Sequence, residues 1–188
     1  MENADNSTRC PWCGSDPLYQ AYHDHEWGRP ERDPKRLFEL LILESFQAGL
    51  SWITILRKRD GFRAAFQGFD PATLATWGEP EITRLLQDPG IVRHRGKIEG
   101  TIRGAQAFLR IEAREGFAPF LWSFTGGQPL INLPKSLAEV AALTPQSQAM
   151  SKALKREGFN FVGPTITYAF MQASGMVNDH LATCDWRT

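Results

Sequence analysis

Apolar positions recur with helical spacing along most of the chain. Asp33 followed by Pro34 is typical of a helix N-cap with proline in the first helical turn. The apolar residues that follow share one helical face: Leu37, Leu40, Leu41 and Ala48. The pattern predicts an amphipathic helix that begins at Pro34.

Four further segments carry helix signals. Ser136 with Glu139 three residues later has the pattern of a capping box. Thr144 before a proline predicts another helix start, and Gly158 predicts its end. Residues 96–114 form a longer helical stretch that stops near Gly116, and residues 164–176 read as an apolar, buried helix.

No run of residues alternates convincingly between apolar and polar positions, so the sequence predicts no β-strand. No internal repeat or low-complexity segment interrupts the pattern. The predicted fold class is therefore all-α. Residues 1–8 are predicted to be a disordered tail and residues 9–188 a single helical domain, with two helical lobes left open.

Composition supports a folded protein and excludes several classes. Hydrophobic residues make up 42% of the 188 positions and charged residues 22%, which argues against disorder. No apolar stretch is long enough to span a bilayer, and the polar, acidic start does not resemble a signal peptide. We therefore expect a cytoplasmic protein without a membrane partner, and a monomer.

Charge gives no global argument for nucleic-acid binding. The chain has 21 basic and 21 acidic residues and a formal net charge of zero. Any interaction with DNA must then depend on a local basic cluster.

Cysteine and histidine are concentrated at the two ends of the chain. Cys10, Cys13, His23 and His25 lie near the start, and His180 and Cys184 lie near the end. If residues 180–184 are helical, His180 and Cys184 share one face and suit two corners of a tetrahedron. Thiolate with imidazole favours zinc, whereas inert buried thiols remain the alternative from spacing alone.

Glu44 falls on the apolar face of the helix that begins at Pro34. An unpaired carboxylate there is costly to desolvate, so it either bends to water, pairs with a lysine or arginine, or forms the floor of a pocket for a cationic ligand. Tyr22, Trp27 and Trp52 lie nearby in the sequence. Aromatic faces with one carboxylate suit a flat cationic ring.

Residues 85–98 resemble a helix-hairpin-helix. An apolar helix is followed by a Pro-Gly turn and then by the basic start of a second helix. Gly90 allows close approach of the backbone to DNA, and the first amides of the second helix face a phosphate. Arg93, Arg95 and Lys97 supply the local positive charge, although an ordinary hairpin with a solvated basic face has the same pattern.

The chain resembles the 3-methyladenine DNA glycosylase I family. The matching motifs occur in order from Arg9 to Cys184: residues 9–10, 16–19, 22–24, 26–28, 47–52, 90–98, 161–163, 165–166 and 177–180. The resemblance implies a helix-hairpin-helix glycosylase fold with an active-site cleft between helical lobes. It also implies a monofunctional enzyme that excises 3-methyladenine from alkylated double-stranded DNA, with water as the nucleophile.

The resemblance also assigns roles to individual residues. Cys10, His23, His180 and Cys184 correspond to ligands of a structural zinc that joins the chain ends. Glu44 corresponds to the residue that hydrogen-bonds the flipped base, with Tyr22, Trp27 and Trp52 around the ring. The turn at Gly49 and Leu50 is expected to enter the gap left by the extruded nucleotide. Cys13 adds a thiol that the family pattern does not require, and a role for Glu112 or Glu115 in the chemistry is left open.

Three other functions fit parts of the sequence. A non-catalytic DNA-binding hairpin protein would not need Glu44. A zinc hydrolase or deaminase needs an open metal position and a general base. Four protein ligands leave no open position on the metal. A thiol oxidoreductase using Cys10 and Cys13 is disfavoured because no strand precedes the pair.

Overall fold

The computed structural model describes residues 7–187, which form a mostly helical protein. The α-helices are α1 (Pro17–His25), α2 (Pro34–Gln47), α3 (Trp52–Ala65), α4 (Pro71–Leu74), α5 (Glu79–Leu85), α6 (Arg95–Arg114), α7 (Phe117–Trp122), α8 (Pro145–Glu157) and α9 (Pro164–Ala173). Short 3₁₀ turns cover Pro11–Cys13, Gln67–Phe69, Ser123–Thr125 and Leu137–Glu139. The predicted helical class is confirmed.

Two very short strands depart from the all-α prediction. β1 (Leu130–Ile131) and β2 (Val177–Asn178) pair in parallel. The Leu130 amide donates to the Met176 carbonyl (2.9 Å) and the Asn132 amide donates to the Asn178 carbonyl (3.1 Å). A two-residue pairing between distant segments leaves no alternation in the sequence, so pattern analysis could not detect it.

Local capping chemistry sets the helix starts, as predicted. The Asp33 side chain accepts a hydrogen bond from the Arg36 amide (2.9 Å) at the start of α2. Thr144 caps α8 through a reciprocal pair of bonds with Ser147, and α8 ends at Gly158, whose φ is 109°. Each cap satisfies amides or carbonyls that a helix end leaves without partners.

Two local predictions were wrong, and one condition considered for the metal ligands is not met. Ser136 makes no side-chain cap, and only a 3₁₀ turn forms there, because Glu139 accepts from the Lys135 amide instead. The helix expected over residues 164–176 ends at Ala173, since the chain turns at Gly175 (φ 66°), where a Cβ would collide with the Arg29 backbone. Residues 180–184 form turns and not a helix.

The two ends of the described chain lie side by side. The Thr8 amide donates to the Asp185 carboxylate (2.7 Å), and the Asp185 amide donates to the Thr8 carbonyl (3.0 Å). Of the tail predicted over residues 1–8, residues 1–6 lie outside the described part of the chain.

Helix α2 is the centre of the hydrophobic core. It packs against α3, α6, α7 and α9, and it buries Phe38, Leu41, Leu43 and Phe46 completely. Glu44 is buried on the same helix. Within residues 7–187, no helix is both long and apolar enough to cross a membrane.

Candidate functional site

A cavity of about 260 Å³ lies beside α2 and collects the residues predicted for base recognition. It is lined by Trp12, Tyr19, Tyr22, Trp27, Glu44, Gln47, Trp52, Leu137, Val140, Ala169, Gln172 and Asp179. The structure therefore brings together all four residues that the sequence placed in a pocket, namely Glu44, Tyr22, Trp27 and Trp52.

Glu44 is the buried carboxylate of the α2 wall. It is 3% exposed, and its Oε2 atom has no hydrogen-bond partner. Burial raises the pKa of Glu44 to about 8. Among the described residues no lysine or arginine pairs with it, so neither the solvent-exposed nor the ion-paired alternative describes its position.

Three more polar atoms in the cavity wall are buried without partners. They are the indole Nε1 atoms of Trp12 and Trp52 and the Oε1 atom of Gln47. Buried polar groups in proteins are nearly always hydrogen-bonded. Two N–H donors, an amide acceptor and a carboxylate together suit a ligand that offers both acceptors and donors.

Aromatic rings form much of the cavity surface. The Trp12 ring contacts Trp27 at 4.9 Å and Tyr19 at 5.0 Å between centroids, and Tyr22 contacts Trp52 at 5.4 Å. Burial, together with the nearby Glu44, raises the pKa of Tyr22 well above its usual value. Fixed, neutral aromatic faces suit a planar ring, and they attract one that carries positive charge.

Pattern analysis missed several members of the wall. Trp12 lies between Cys10 and Cys13, and the sequence pattern gave it no role of its own. Gln47 could have been found from the sequence, because it follows Glu44 by three residues and therefore shares a face of α2 with it. Gln172 and Asp179 come from the other end of the chain, and only the folded structure places them beside α2.

Four buried side chains converge in a second group close to the cavity. The ligand atoms of Cys10, His23, His180 and Cys184 all lie within 4.8 Å of one another. Cys184 Sγ lies 3.5 Å from His23 Nε2 and 3.4 Å from His180 Nδ1. Cys13 stays outside this group, because its thiol donates to the Cys10 carbonyl (3.2 Å).

The surroundings orient both imidazoles toward the centre of the group. His23 Nδ1 contacts the Asp24 carboxylate (2.7 Å), which leaves its Nε2 for the centre. His180 Nε2 contacts the Trp27 carbonyl (3.1 Å), which leaves its Nδ1. Such outer partners are typical of metal-binding histidines.

Burial favours the neutral forms of Cys10, His23 and His180. Desolvation lowers the pKa of His180 to about 4 and raises the pKa of Cys10 to about 12. Neutral imidazoles and two thiols, which ionise when they coordinate, fit a metal ion. With four protein donors and no exposed member, the group fits a closed structural site.

A sequence profile described as methyladenine glycosylase matches residues 12–188 of this chain. The chain belongs to the methyladenine glycosylase family. The family expected from the sequence motifs is therefore confirmed.

Relatives in this family match over nearly their whole length. DNA-3-methyladenine glycosylase 1 of Escherichia coli (strain K12) is 54% identical over 177 residues, covering 94% of this chain and 95% of that protein. A crystal structure of 3-methyladenine DNA glycosylase I has a TM-score of 0.93 at 54% identity, covering 95% of this chain and 98% of the other. A variant of 3-methyladenine DNA glycosylase I in complex with 3-methyladenine has a TM-score of 0.93 at 39% identity, covering 96% and 97%.

A hairpin joins α5 and α6 in this family member, and it is anchored from α3. Gly90 packs so closely on Gly61 that a Cβ on Gly61 would meet the Gly90 carbonyl. Lys58 donates to the Pro89 carbonyl (2.7 Å), and the Gly90 amide donates to Asp88 (2.7 Å). The hairpin therefore has a fixed conformation and not a mobile one.

The three basic residues of the hairpin region lie in different environments. Arg93 is exposed and forms no ion pair within the described part of the chain. Arg95 pairs with Glu79 (2.8 Å) and Glu99 (3.5 Å). Lys97, for which the sequence predicts a phosphate contact, is 6% exposed, and burial lowers its pKa.

Lys97 instead fixes the turn that follows α2. Its Nζ donates to the carbonyls of Phe46 (2.8 Å) and Ala48 (2.7 Å). The next residues are Gly49, with a φ of 83°, and Leu50, whose side chain is 43% exposed. An ammonium at the C-terminal carbonyls of a helix is a favourable cap, so Lys97 holds the base of an exposed, protruding turn.

We expect Lys97→Met to lower the free energy of unfolding by roughly 1.5–3 kcal/mol, because two carbonyls lose a charged donor. The salt dependence of DNA binding should not change, since the amine reaches no phosphate. Chemical denaturation and binding at several salt concentrations measure both quantities. A salt slope that falls by about 1 would contradict this assignment and restore the phosphate contact.

Glu112 and Glu115, which the sequence left open for catalysis, lie away from the cavity. Glu112 accepts from the Phe117 amide (2.6 Å) and Glu115 pairs with Arg114 (2.6 Å). Neither residue lines the cavity. Their contacts organise the turn between α6 and α7.

Proposed function

We propose that this protein is a monofunctional DNA glycosylase that flips 3-methyladenine out of alkylated double-stranded DNA and hydrolyses its N-glycosidic bond. The observation that carries the proposal is the cavity itself. Two carboxylates and no cation are among the described residues that line it, and four of its buried polar atoms have no partner. The relatives named above and the 3-methyladenine bound by one of them support the same substrate.

The wall chemistry matches this base. The exocyclic amino group of adenine can donate to Glu44, and the ring nitrogens can accept from the indoles of Trp12 and Trp52. Methylation at N3 makes the base cationic, so the aromatic faces and the carboxylates favour it over ordinary adenine. These contacts also offset the cost of a few kcal/mol for extruding the nucleotide.

The charge of the substrate explains why the cavity needs no strong general acid. The base leaves as a neutral molecule with the electron pair of the glycosidic bond, which leaves the positive charge on the sugar; water then adds to the sugar and releases a proton to solvent. In this scheme Glu44 binds and orients the base and does not act as a general acid. Within the described part of the chain no lysine lines the cavity, so no amine is placed to form a covalent adduct or to cut the strand.

We infer that the α5–α6 hairpin is a helix-hairpin-helix that contacts the DNA backbone through Gly90, Arg93 and Arg95. The fixed hairpin conformation and the exposed arginines support this role. The Gly49–Leu50 turn supplies an exposed apolar side chain to fill the gap left by the extruded nucleotide. Lys97 supports that turn from behind and does not contact DNA.

The excision assay tests the proposal directly. Duplex DNA treated with a methylating agent should release free 3-methyladenine, detected by chromatography, with the strand intact until heat or alkali is applied. Undamaged duplex is the control. Release of 7-methylguanine alone, or strand cleavage without heat or alkali, would count against the proposal, and DNA binding without any base release would favour a non-catalytic hairpin protein.

Arg93, which has no ion pair among the described residues, and Arg95, which pairs with Glu79, are expected to contribute differently to DNA affinity. We expect Arg93→Ala to weaken nonspecific binding and to reduce the salt slope by about 1, because one phosphate contact is lost. Arg95→Ala is the matched control and should have a smaller effect, since Glu79 already neutralises Arg95. Fluorescence anisotropy at several salt concentrations measures both. An equal or larger effect at Arg95 would show that the ion pair opens on DNA.

We propose that the buried group of Cys10, His23, His180 and Cys184 holds a structural zinc. Two thiolates and two imidazoles are donors that zinc prefers. The ion would supply no step of the reaction, because the site is closed to solvent and to the cavity contents. It would instead tie the segment before α1 to the segment after β2.

We also propose that the protein acts as a monomer in the cytoplasm. Sedimentation of the purified protein tests the oligomeric state.

A further inference from the structure

The loop between α8 and α9 carries an exposed aromatic side chain that the proposed chemistry leaves without a role. Phe161 is 38% exposed, and its φ angle of 56° lies in the left-handed region that bulky side chains rarely adopt. Phe69 has the same φ but is completely buried, so core packing offsets the cost of its conformation. Phe161 has only part of that compensation. Strained conformations of this kind are concentrated at functional sites.

Contacts on both sides of Phe161 fix the loop. Phe159 and Val162 are buried in the core, and the Val162 carbonyl accepts two hydrogen bonds from hydroxyl groups (2.6 and 3.2 Å). Arg103 donates to the Asn160 side chain (2.8 Å). Phe161 is therefore held on the outside of an anchored loop.

One part of the Phe161 ring lies on the first turns of α6. A Cβ at Gly96 or Gly100 would come within 3.5 or 3.7 Å of the ring. The His94 ring meets it edge-on at 5.7 Å between centroids, and Lys97 Nζ lies 5.8 Å from its centroid. These contacts account for the buried part of the ring and leave the rest open to solvent.

The open part of the ring lies between two features that the proposed function assigns to DNA. On one side, Lys97 donates to the Ala48 carbonyl (2.7 Å) at the base of the Gly49–Leu50 turn. On the other side, His94 directly follows Arg93, the exposed arginine of the α5–α6 hairpin. A duplex that contacts both the turn and the arginine therefore passes over the ring.

We propose that Phe161 is part of the DNA-binding surface and packs against the sugar and base edge of a nucleotide beside the extruded one. Duplex DNA suits this surface, because its sugars and base edges offer apolar contact next to phosphates that Arg93 can reach. The inference rests on the proposed function and adds an aromatic contact to the DNA interface. A free base in the cavity does not touch this ring, so the contact belongs to the duplex alone.

Phe161→Ala should weaken duplex binding about tenfold, the effect of losing one aromatic contact with a nucleotide. The probe is a fluorescein-labelled duplex with one tetrahydrofuran abasic site, which presents the gap without a bond to hydrolyse. Fluorescence anisotropy measures its affinity. The salt slope should stay the same, because no charge is removed. Binding of free 3-methyladenine, measured by quenching of tryptophan fluorescence, should also stay the same.

Leu109→Ala is the matched control. Leu109 is 39% exposed and lies on α6, about 18 Å along the helix from Lys97. Its loss should leave duplex affinity unchanged. Phe161→Tyr keeps the ring and should bind the duplex within about twofold of wild type. Equal weakening by Phe161→Ala and Leu109→Ala, or an unchanged duplex affinity of Phe161→Ala, overturns the inference.

Phe161→Asn separates the DNA contact from folding. Asparagine adopts the left-handed conformation more readily than most residues, so this variant keeps the backbone of the loop and removes the ring. It should bind the duplex as weakly as Phe161→Ala and bind free 3-methyladenine like wild type. Proportional loss of duplex and free-base binding in both variants would assign Phe161 a purely structural role and overturn the inference.

The proposed function is tested separately by the wild-type protein. Wild-type protein that excises 3-methyladenine, with a duplex affinity that does not depend on the ring of Phe161, refutes only the role of Phe161. Absence of excision by wild-type protein refutes the proposed function.

Discussion

Replacing Cys184 by alanine is expected to abolish metal binding at the proposed zinc site and to lower the free energy of unfolding by several kcal/mol. Ordinary substitutions cost about 0.5–3 kcal/mol, but this one removes a ligand whose binding is coupled to folding. The four ligand residues come from two segments that are far apart in the chain and buried together. Without the metal and the Cys184 thiol, one thiol and two imidazoles remain buried with few partners.

The loss of metal should also disturb the base cavity. The Trp12 ring lies 5.2 Å from the His23 ring, and the Trp27 carbonyl contacts His180. Both tryptophans line the cavity. We therefore expect Cys184→Ala to weaken ligand binding as well as stability, even in protein that remains folded at low temperature.

Metal analysis, thermal unfolding and tryptophan fluorescence measure these effects. Cys13→Ser is the matched control, because Cys13 is equally buried but lies outside the ligand group, and this variant should keep its metal. Asp24→Asn should weaken metal affinity by about 10- to 100-fold through the orientation of His23. Retention of metal and stability by Cys184→Ala, or loss of metal from Cys13→Ser, would show that the ligand set is wrong.

Local signals in the sequence were sufficient to predict where α2 and α8 begin and that Glu44 lies on the apolar face of α2. An aspartate or threonine before a proline determines a helix N-terminus through bonds within one turn, so α2 and α8 began where predicted. Glu44 was found because helical periodicity is also local. The end of α9 depends on contact between Gly175 and the Arg29 backbone, which no local pattern reports.

The positions of Lys97 and Asp179 could not be predicted from the sequence, because they depend on a long side chain and on contacts between distant segments. Lys97 lies among arginines and reads as part of a basic surface, but its flexible stem carries the amine inward to the end of α2. Asp179 reads as a polar residue beside a metal ligand. Its place in the cavity depends on the packing of α9 and β2 beside α2, which the sequence pattern does not contain.

Glu44→Gln is expected to reduce excision of 3-methyladenine by roughly 10- to 150-fold, the effect of losing about 1.5–3 kcal/mol from a hydrogen bond to a charged group. The substitution keeps the shape of the side chain but replaces an acceptor with a donor. Arg93→Ala should instead weaken DNA binding and leave binding of the free base unchanged. Single-turnover excision and free-base titration separate the two variants.

The same substitution should stabilise the empty protein in a pH-dependent way. Burial raises the pKa of Glu44 from 4.5 to about 8, so the unfolded chain ionises this group first and the folded state loses stability as the pH rises between these values. Tyr19, Tyr22 and Asp179 share the cavity, but both tyrosines stay neutral in this range because burial raises their pKa values. Glu44→Gln removes the ionising group, so its stability advantage should be absent below about pH 4.5 and should grow to a few kcal/mol by about pH 8. Chemical denaturation at pH 5 and pH 8 tests this directly. If Glu44→Gln is less stable than wild type at both values while its folded fraction excises normally, Glu44 is a structural residue and the cavity recognises the base without it.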